Sequence, residues 1–233
     1  ICEFIDSSVG MGYGTILSPV LIIMGFNPLV AIPAVLLSQA IGGFTASVFH
    51  HQLDNANFNR GSRDLKIVMI ISGAGILATI VADLISINIP RIILKSYIGI
   101  MVLIMGIIIL INKKFSFSWK KIIGLGIISS FNKGMSGGGF GPIVTGGQVL
   151  SGQKHKNAIG ATTFAEAPIC ITAFFAYLIG RTVTELQTGI WHMPFREFVT
   201  EMFSREMFQW ELISALILGS ILVAPFGAFA TRK

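Results

Sequence analysis

The stretch NKGMSGGGFGP at 132–142 sets Lys133 among five glycines, ahead of Pro142 and between apolar runs. Two chemistries use such a composition. A phosphate-cradling loop ends in Lys-Ser or Lys-Thr and opens a helix behind a strand. Here the lysine precedes the glycines, and no alternating strand–helix pattern surrounds them. In hydrocarbon the same run reads as a broken helix. Glycine frees the backbone to unwind, and Pro142 cannot donate inside a helix. Unwound backbone at membrane depth is tolerated only where protein buries it or it lines a cavity. Gly10, Gly12 and Gly14, ahead of Pro19, repeat the pattern. Paired interruptions point to a transporter's midplane site, where half-helix N-termini offer N–H groups to an anion. The candidate substrate-binding residues are Gly10, Gly12, Gly14 and Ser18 in the first run, and Asn132, Lys133, Gly137, Gly138 and Gly139 in the second. Gln39, Thr162 and Thr163 join them from the segments that follow. Close helix packing is the competing reading for any single glycine.

Asp6, Lys133 and Glu166 are the ionisable residues expected at membrane depth, where charge is costly and marks pathways or relays. Glu166 corresponds to Gln39 of the first half; it faces the cavity or ends a helix at the interface. Asp6 either carries a proton or caps the next helical piece. Lys133 either attracts an anion or snorkels to the headgroups. Thr162 and Thr163 donate to an oxyanion or bond back to their own helix. His50, beside His51 at a segment end, titrates in the range proton coupling needs, although an interfacial position is the commoner one. Adjacent histidines lack the i, i+4 spacing of a helical metal site. Asp6, Glu166 and His50 are therefore the proton-coupling candidates, and no metal or other cofactor is expected.

The elements that must position these groups follow from composition. The chain has 233 residues, 53% hydrophobic and 12% charged, against roughly a quarter charged in soluble domains. No Asp, Glu, Lys or Arg occurs between Asp6 and Asp54, a stretch long enough for two crossings of about 20 residues. An all-α integral membrane protein follows, and the plasma membrane is its expected location. Apolar segments fall at about 1–24, 29–49, 67–88, 92–112, 121–150, 157–179 and 211–231. The net charge of +6 sits mostly in short connections, where lysine and arginine set topology and meet headgroups. Nucleic acid is not an expected partner. Lipid is, and a homo-oligomer is compatible with the chain. Cys2 and Cys170 read as packing residues. The small residues Ser72, Gly73, Ala74, Gly75 and Ala78 read as a helix-packing surface. Counting basic residues gives a vote for loops 50–66, 112–121 and 180–210 as the cytoplasmic side.

Three pairs of segments resemble one another: 7–19 with 129–142, 25–35 with 152–162, and 72–82 with 218–228, at offsets of about 123, 127 and 146 residues. Two homologous halves, 1–112 and 121–233, are expected, each of about four helices with a glycine-broken first helix. On that count the second half lacks its last helix. An even count per half would relate the halves by an axis along the membrane normal. The connection 181–210 is amphipathic, with Phe195, Phe198, Val199, Met202 and Phe203 on one face and Trp191 and Trp210 near its ends. It lies in the interface or packs on the protein's own loops.

The segments 4–48 and 129–168, with their paired glycine runs and the Ala31-Ile32 and Ala158-Ile159-Gly160-Ala161-Thr162 stretches, resemble the two halves of the sulfite exporter TauE/SafE family of membrane permeases. The resemblance covers nearly the whole chain. It implies movement of sulfite, sulfonates and related small anions, without fixing which one. The expected function is secondary, alternating-access transport of sulfite, thiosulfate or organosulfonates, with no enzymatic activity. An intramembrane enzyme is the rival, though no HExxH is present. An assembly or sensor protein docking through 181–210 is another.

Overall fold

The computed structural model describes residues 1–111, 118–186, 194–204 and 209–232. They form ten helices: α1 (Cys2–Val9), α2 (Tyr13–Ile23), α3 (Pro28–Gln52), α4 (Arg63–Asn88), α5 (Arg91–Ile111), α6 (Trp119–Ser136), α7 (Phe140–Leu150), α8 (His155–Leu186), α9 (Phe195–Met202) and α10 (Trp210–Thr231). Local chemistry sets several starts. Asn27 accepts from Leu29 N at 3.1 Å and is followed by Pro28, whose missing N–H costs nothing at a first turn. Ser62 accepts from Leu65 N at 3.2 Å, with Asp64 favourably placed in the first turn of α4. α3, α4, α8 and α10 are long and apolar enough to cross a membrane. The protein is an all-helical, multi-pass membrane protein.

Helix directions follow from which residues meet. At one end, His50 after most of α3, Gly160 near the start of α8 and Ala228 near the end of α10 converge around Asn55 and Ala56. Asp64, at the start of α4, lies there too, accepting from Gln153 and Asn157 at 3.1 and 2.7 Å. At the other end, Arg181 of α8 donates to Leu29 O at the start of α3. So α3 and α10 run toward the Asp64 end, while α4 and α8 run toward the Leu29 end. The connection after α8 and the 53–62 connection thus lie at opposite ends. The charge count that grouped them does not orient the molecule.

α4 and α6 run side by side in the same direction through small residues. A Cβ on Gly126 would sit 3.3 Å from Ile71 Cα, one on Gly75 would sit 2.2 Å from Ser130 Oγ, and one on Gly134 would sit 2.7 Å from Thr79 O. Gly73 faces open space, so only part of the small-residue stretch is a packing surface. α6 leaves the Asp64 end, and α7 returns to it. Gly147 packs on Leu125 of α6, and Gln153 just beyond α7 reaches Asp64. α6 and α7 are thus a hairpin bent at Gly137 and Gly139, with φ of 73° and 79°.

α1 and α2 also fold back. Ser7 and Ser8 carbonyls accept from Thr231 near the Asp64 end, and α2 then leads away to Asn27. Gly10 and Gly12, with φ of 74° and 134°, make that bend. The two hairpins point in opposite directions, unlike the parallel relation expected from the helix count. The physical reason is that a bent pair returns to its own side.

α9 lies against the bundle. Met202 is buried in the largest core cluster, with Phe198 and Phe203 packed beside it, whereas Phe195 is exposed. Phe203 stacks on Trp210. Trp191 falls outside the described residues.

Candidate functional site

Lys133 stands one turn before the α6–α7 bend. In water its ammonium would be solvated; here it is wholly buried and must find partners within the protein. It ion-pairs with Glu166 Oε1 of α8 at 2.9 Å and donates to Gln39 Oε1 of α3. Gln39 turns its Nε2 to Asp6 Oδ2 at 3.4 Å, and Asp6 Oδ1 accepts from Tyr13 N at 3.1 Å. One ammonium, two carboxylates and one amide therefore form a continuous buried chain across α1, α3, α6 and α8. Asp6 occupies the N-terminus of α2, the position at which exposed N–H groups favour an anion. The chain's own carboxylate fills it.

The two hairpin bends cross directly beside this cluster. A Cβ on Gly14 would sit 1.8 Å from Gly137 O and 3.0 Å from Lys133 Nζ. One on Gly138 would lie 2.7 Å from Gly14 C, and one on Gly141 would lie 2.5 Å from Gly10 O. Only glycine permits such backbone approach. Gly139 N donates to Thr15 Oγ1 at 3.0 Å, and Thr145 Oγ1 donates to Gly10 O at 2.7 Å. Gly138 N donates to Ser136 Oγ, Gly137 N to Lys133 O, and Gly10 N to Asp6 O. These N–H groups are engaged within the protein, and the bends leave no room for an anion between them. Ser18 Oγ, buried without a hydrogen-bond partner, faces Gly137 at the crossing.

Other sequence candidates lie apart from Lys133. Thr162 accepts from Gln148 Nε2 at 2.8 Å, and Thr163 bonds back to Ile159 O at 2.9 Å. Asn132 accepts from Tyr97 OH and lines a cavity of about 250 Å³ between α5, α6 and α7. His50 is buried in the last turn of α3 at the Asp64 end, beside Asn55 and away from the Lys133 cluster. Gly12 makes the α1–α2 bend with its Cβ position against Ile5.

The sequence reading passed over Glu3 and Tyr13. Glu3 is buried with neither carboxylate oxygen hydrogen-bonded, and it faces Gly42 and Ser220. An acid inside an apolar segment was the available signal. Tyr13 OH donates to Ser38 Oγ at 2.8 Å, tying α2 to α3. A tyrosine between glycines gave no such hint.

Comparison with known proteins agrees with this architecture. The family model described as "Sulfite exporter TauE/SafE" matches residues 1–233. "Probable membrane transporter protein YtnM" of Bacillus subtilis (strain 168) is 25% identical over 247 residues, covering 100% of this chain and 72% of that protein. No solved structure matches. With its multi-pass helical fold and a family match over every residue, the chain belongs to the sulfite exporter TauE/SafE family of cell-membrane transporters.

Proposed function

We propose that this protein is a secondary transporter of small sulfur-containing anions, sulfite, thiosulfate or organosulfonates, working by alternating access around the two glycine bends. The observation that carries the reading is the buried Lys133 ammonium, held between Gln39 and Glu166 immediately beside the Gly14–Gly137 crossing. A buried lysine at the meeting point of two bent hairpins is an expensive arrangement with a direct use as the counter-charge of an anion.

The packed bends correspond to an occluded state. When they part, the anion takes the place that Asp6 and Glu166 now fill. It binds to Lys133 and to the N–H groups of the α2 and α7 N-termini that the separation frees, with Gln39 and Ser18 as neutral contacts. The halves 1–112 and 121–233 act as inverted repeats. Support comes from α2 and α7, each eleven residues long, each preceded by two positive-φ glycines and followed by one, Gly25 or Gly152. α3 and α8 run in opposite directions, as do α4 and α10. Gln39 and Glu166 are then equivalent positions that grip one lysine.

Uptake into proteoliposomes tests this against sulfite, thiosulfate, sulfonates and carboxylates under imposed gradients. Saturable transport of a sulfur oxyanion, lost in Lys133→Met, is the result this function requires. Failure of every sulfur anion under every gradient would refute it.

A further inference from the structure

Besides the Lys133 cluster and Glu3, the bundle holds a buried carboxylate with no cationic or hydrogen-bonding partner among the described residues. Asp83 is wholly buried, and neither of its carboxyl oxygens meets a hydrogen-bond partner. Thr79, one turn earlier on the same face of α4, has a hydroxyl oxygen in the same condition. Among the described residues, none offers a cation paired with the Asp83 carboxylate. α4 packs against α6 and α8. From α6 the nearest surface is Gly134, whose Cβ position lies 3.0 Å from Asp83 Oδ1 and 2.7 Å from Thr79 O. Lys133, next along, points its ammonium the other way, to Glu166 and Gln39. From α8 the titratable and charged groups on this side are Tyr177, buried, and Arg181, whose guanidinium donates to Leu29 O. Ser86 Oγ donates to Asp83's backbone carbonyl and leaves the carboxylate alone.

The backbone makes the place worse for an anion. Asp83 is in the last two turns of α4, which ends at Asn88, and Gly134 is in the last turn of α6, which ends at Ser136. Both helix C-termini present partial negative charge. A carboxylate buried among two negative helix ends and no cation is held there only if something positive neutralises it. On its Gly134 side the Asp83 carboxyl meets the α6 backbone so closely that a side chain there would have no room.

We propose that Asp83 is a proton-binding site of the transporter, protonated while α4 and α6 are packed and ionised when they part. Its position gives the proton a mechanical effect. Gly134 precedes the Gly137 bend by three residues, so separating α6 from α4 at Asp83 moves the tip that closes on Gly14. Releasing the proton favours hydration of Asp83 and opening of the tip; binding it favours closure. The coupling part of this proposal rests on the transport function above, whereas the protonation does not.

Infrared difference spectra of the full chain in detergent, recorded across pH, read the protonation directly. The wild type should show a protonated carboxyl C=O component that Asp83→Asn lacks. Asp83→Ser serves as the second carboxyl-free variant if Asp83→Asn does not fold. Spectra of wild type and variant that superimpose, or an Asp83 component that is carboxylate in the packed state, would overturn the proposal. So would occupancy by an alkali cation. In proteoliposomes with sulfite, Asp83→Asn should keep exchange across the membrane and lose at least tenfold of the accumulation driven by a pH gradient. Equal loss of both would overturn the coupling role. If the wild type exchanges no sulfite, the transport reading fails, while the infrared result still decides Asp83.

Discussion

Lys133 and Glu166 should behave as one unit, and a double-mutant cycle can measure it. Lys133 is 0% exposed, and its ammonium lies 2.9 Å from a carboxylate that is also buried. Removing one member of such a pair strands the other, at a cost of about 3–5 kcal/mol. Lys133→Met and Glu166→Gln should each lose that much. Independent sites would then lose about 6–10 kcal/mol together, because effects at independent sites add. A true pair behaves otherwise: Lys133→Met/Glu166→Gln removes both charges of the pair together, leaving Asp6 held by Gln39 and Tyr13 N as before, and should lose about 1–2 kcal/mol. At roughly 2–4 °C per kcal/mol, thermal denaturation in detergent should fall by about 6–20 °C in each single variant and about 2–8 °C in the double. The functional half of the cycle runs the other way. The double variant folds yet has no ammonium, so its anion affinity should fall by about 100-fold, about 3 kcal/mol. Additive losses of stability would refute the pair. Wild-type anion affinity in the double variant would refute Lys133 as the counter-charge.

Gly14→Ala should destabilise the packed state by about 3 kcal/mol or more, because its methyl meets Gly137 O, a backbone atom that cannot rotate away. Gly73→Ala, pointing into open space within α4, should instead be neutral or stabilising by up to about 1 kcal/mol; thermal shifts of the two variants provide the comparison. Asp6→Ala should cost about 1–2 kcal/mol through loss of the acceptor for Tyr13 N, and Asp6→Asn distinctly less. Equal shifts in the two would dismiss the capping role. Asp64→Ala removes the acceptor of Asn57 N, Gln153 and Asn157. It should raise hydrogen exchange in residues 53–62 and 151–157 while sparing the α4–α6 seam.

The membrane class, the long crossings and both glycine runs were legible in the sequence, because each is written in local composition. The charge-free interval from 7 to 53 and the glycines at 10, 12, 137 and 139 need no tertiary knowledge. The sequence reading pairs Gln39 with Glu166 as corresponding positions, but their shared partner was not legible. Lys133 lies 94 residues from Gln39, and a lone lysine among glycines gives no sign of which carboxylate it will meet. The reversal at each bend was hidden for a similar reason: an eight-residue α1 and an eleven-residue α2 read as one interrupted crossing until the contacts of Ser7 and Gly10 place them. Asp83 was passed over because a carboxylate near the end of an apolar segment resembles an interfacial one. Only the packing of Gly134 against it distinguishes the two.

The two ends of the bundle are closed by different chemistry. At the Asp64 end the closure is polar: Asp64 gathers Asn57, Gln153 and Asn157, and Lys156 donates to Asp54 O at 2.9 Å. At the Leu29 end it is apolar, with Ile22, Leu29, Ile87, Ile89, Met202, Phe203 and Leu212 in one cluster. Parting the polar end exchanges protein hydrogen bonds for those of water and changes heat capacity little. Parting the apolar end wets hydrocarbon and raises heat capacity. Cooling weakens the apolar closure relative to the polar one. Under the proposed alternating-access cycle, temperature alone would then bias which side of the membrane the protein opens toward, and opening at the Leu29 end should give the curved Eyring plot.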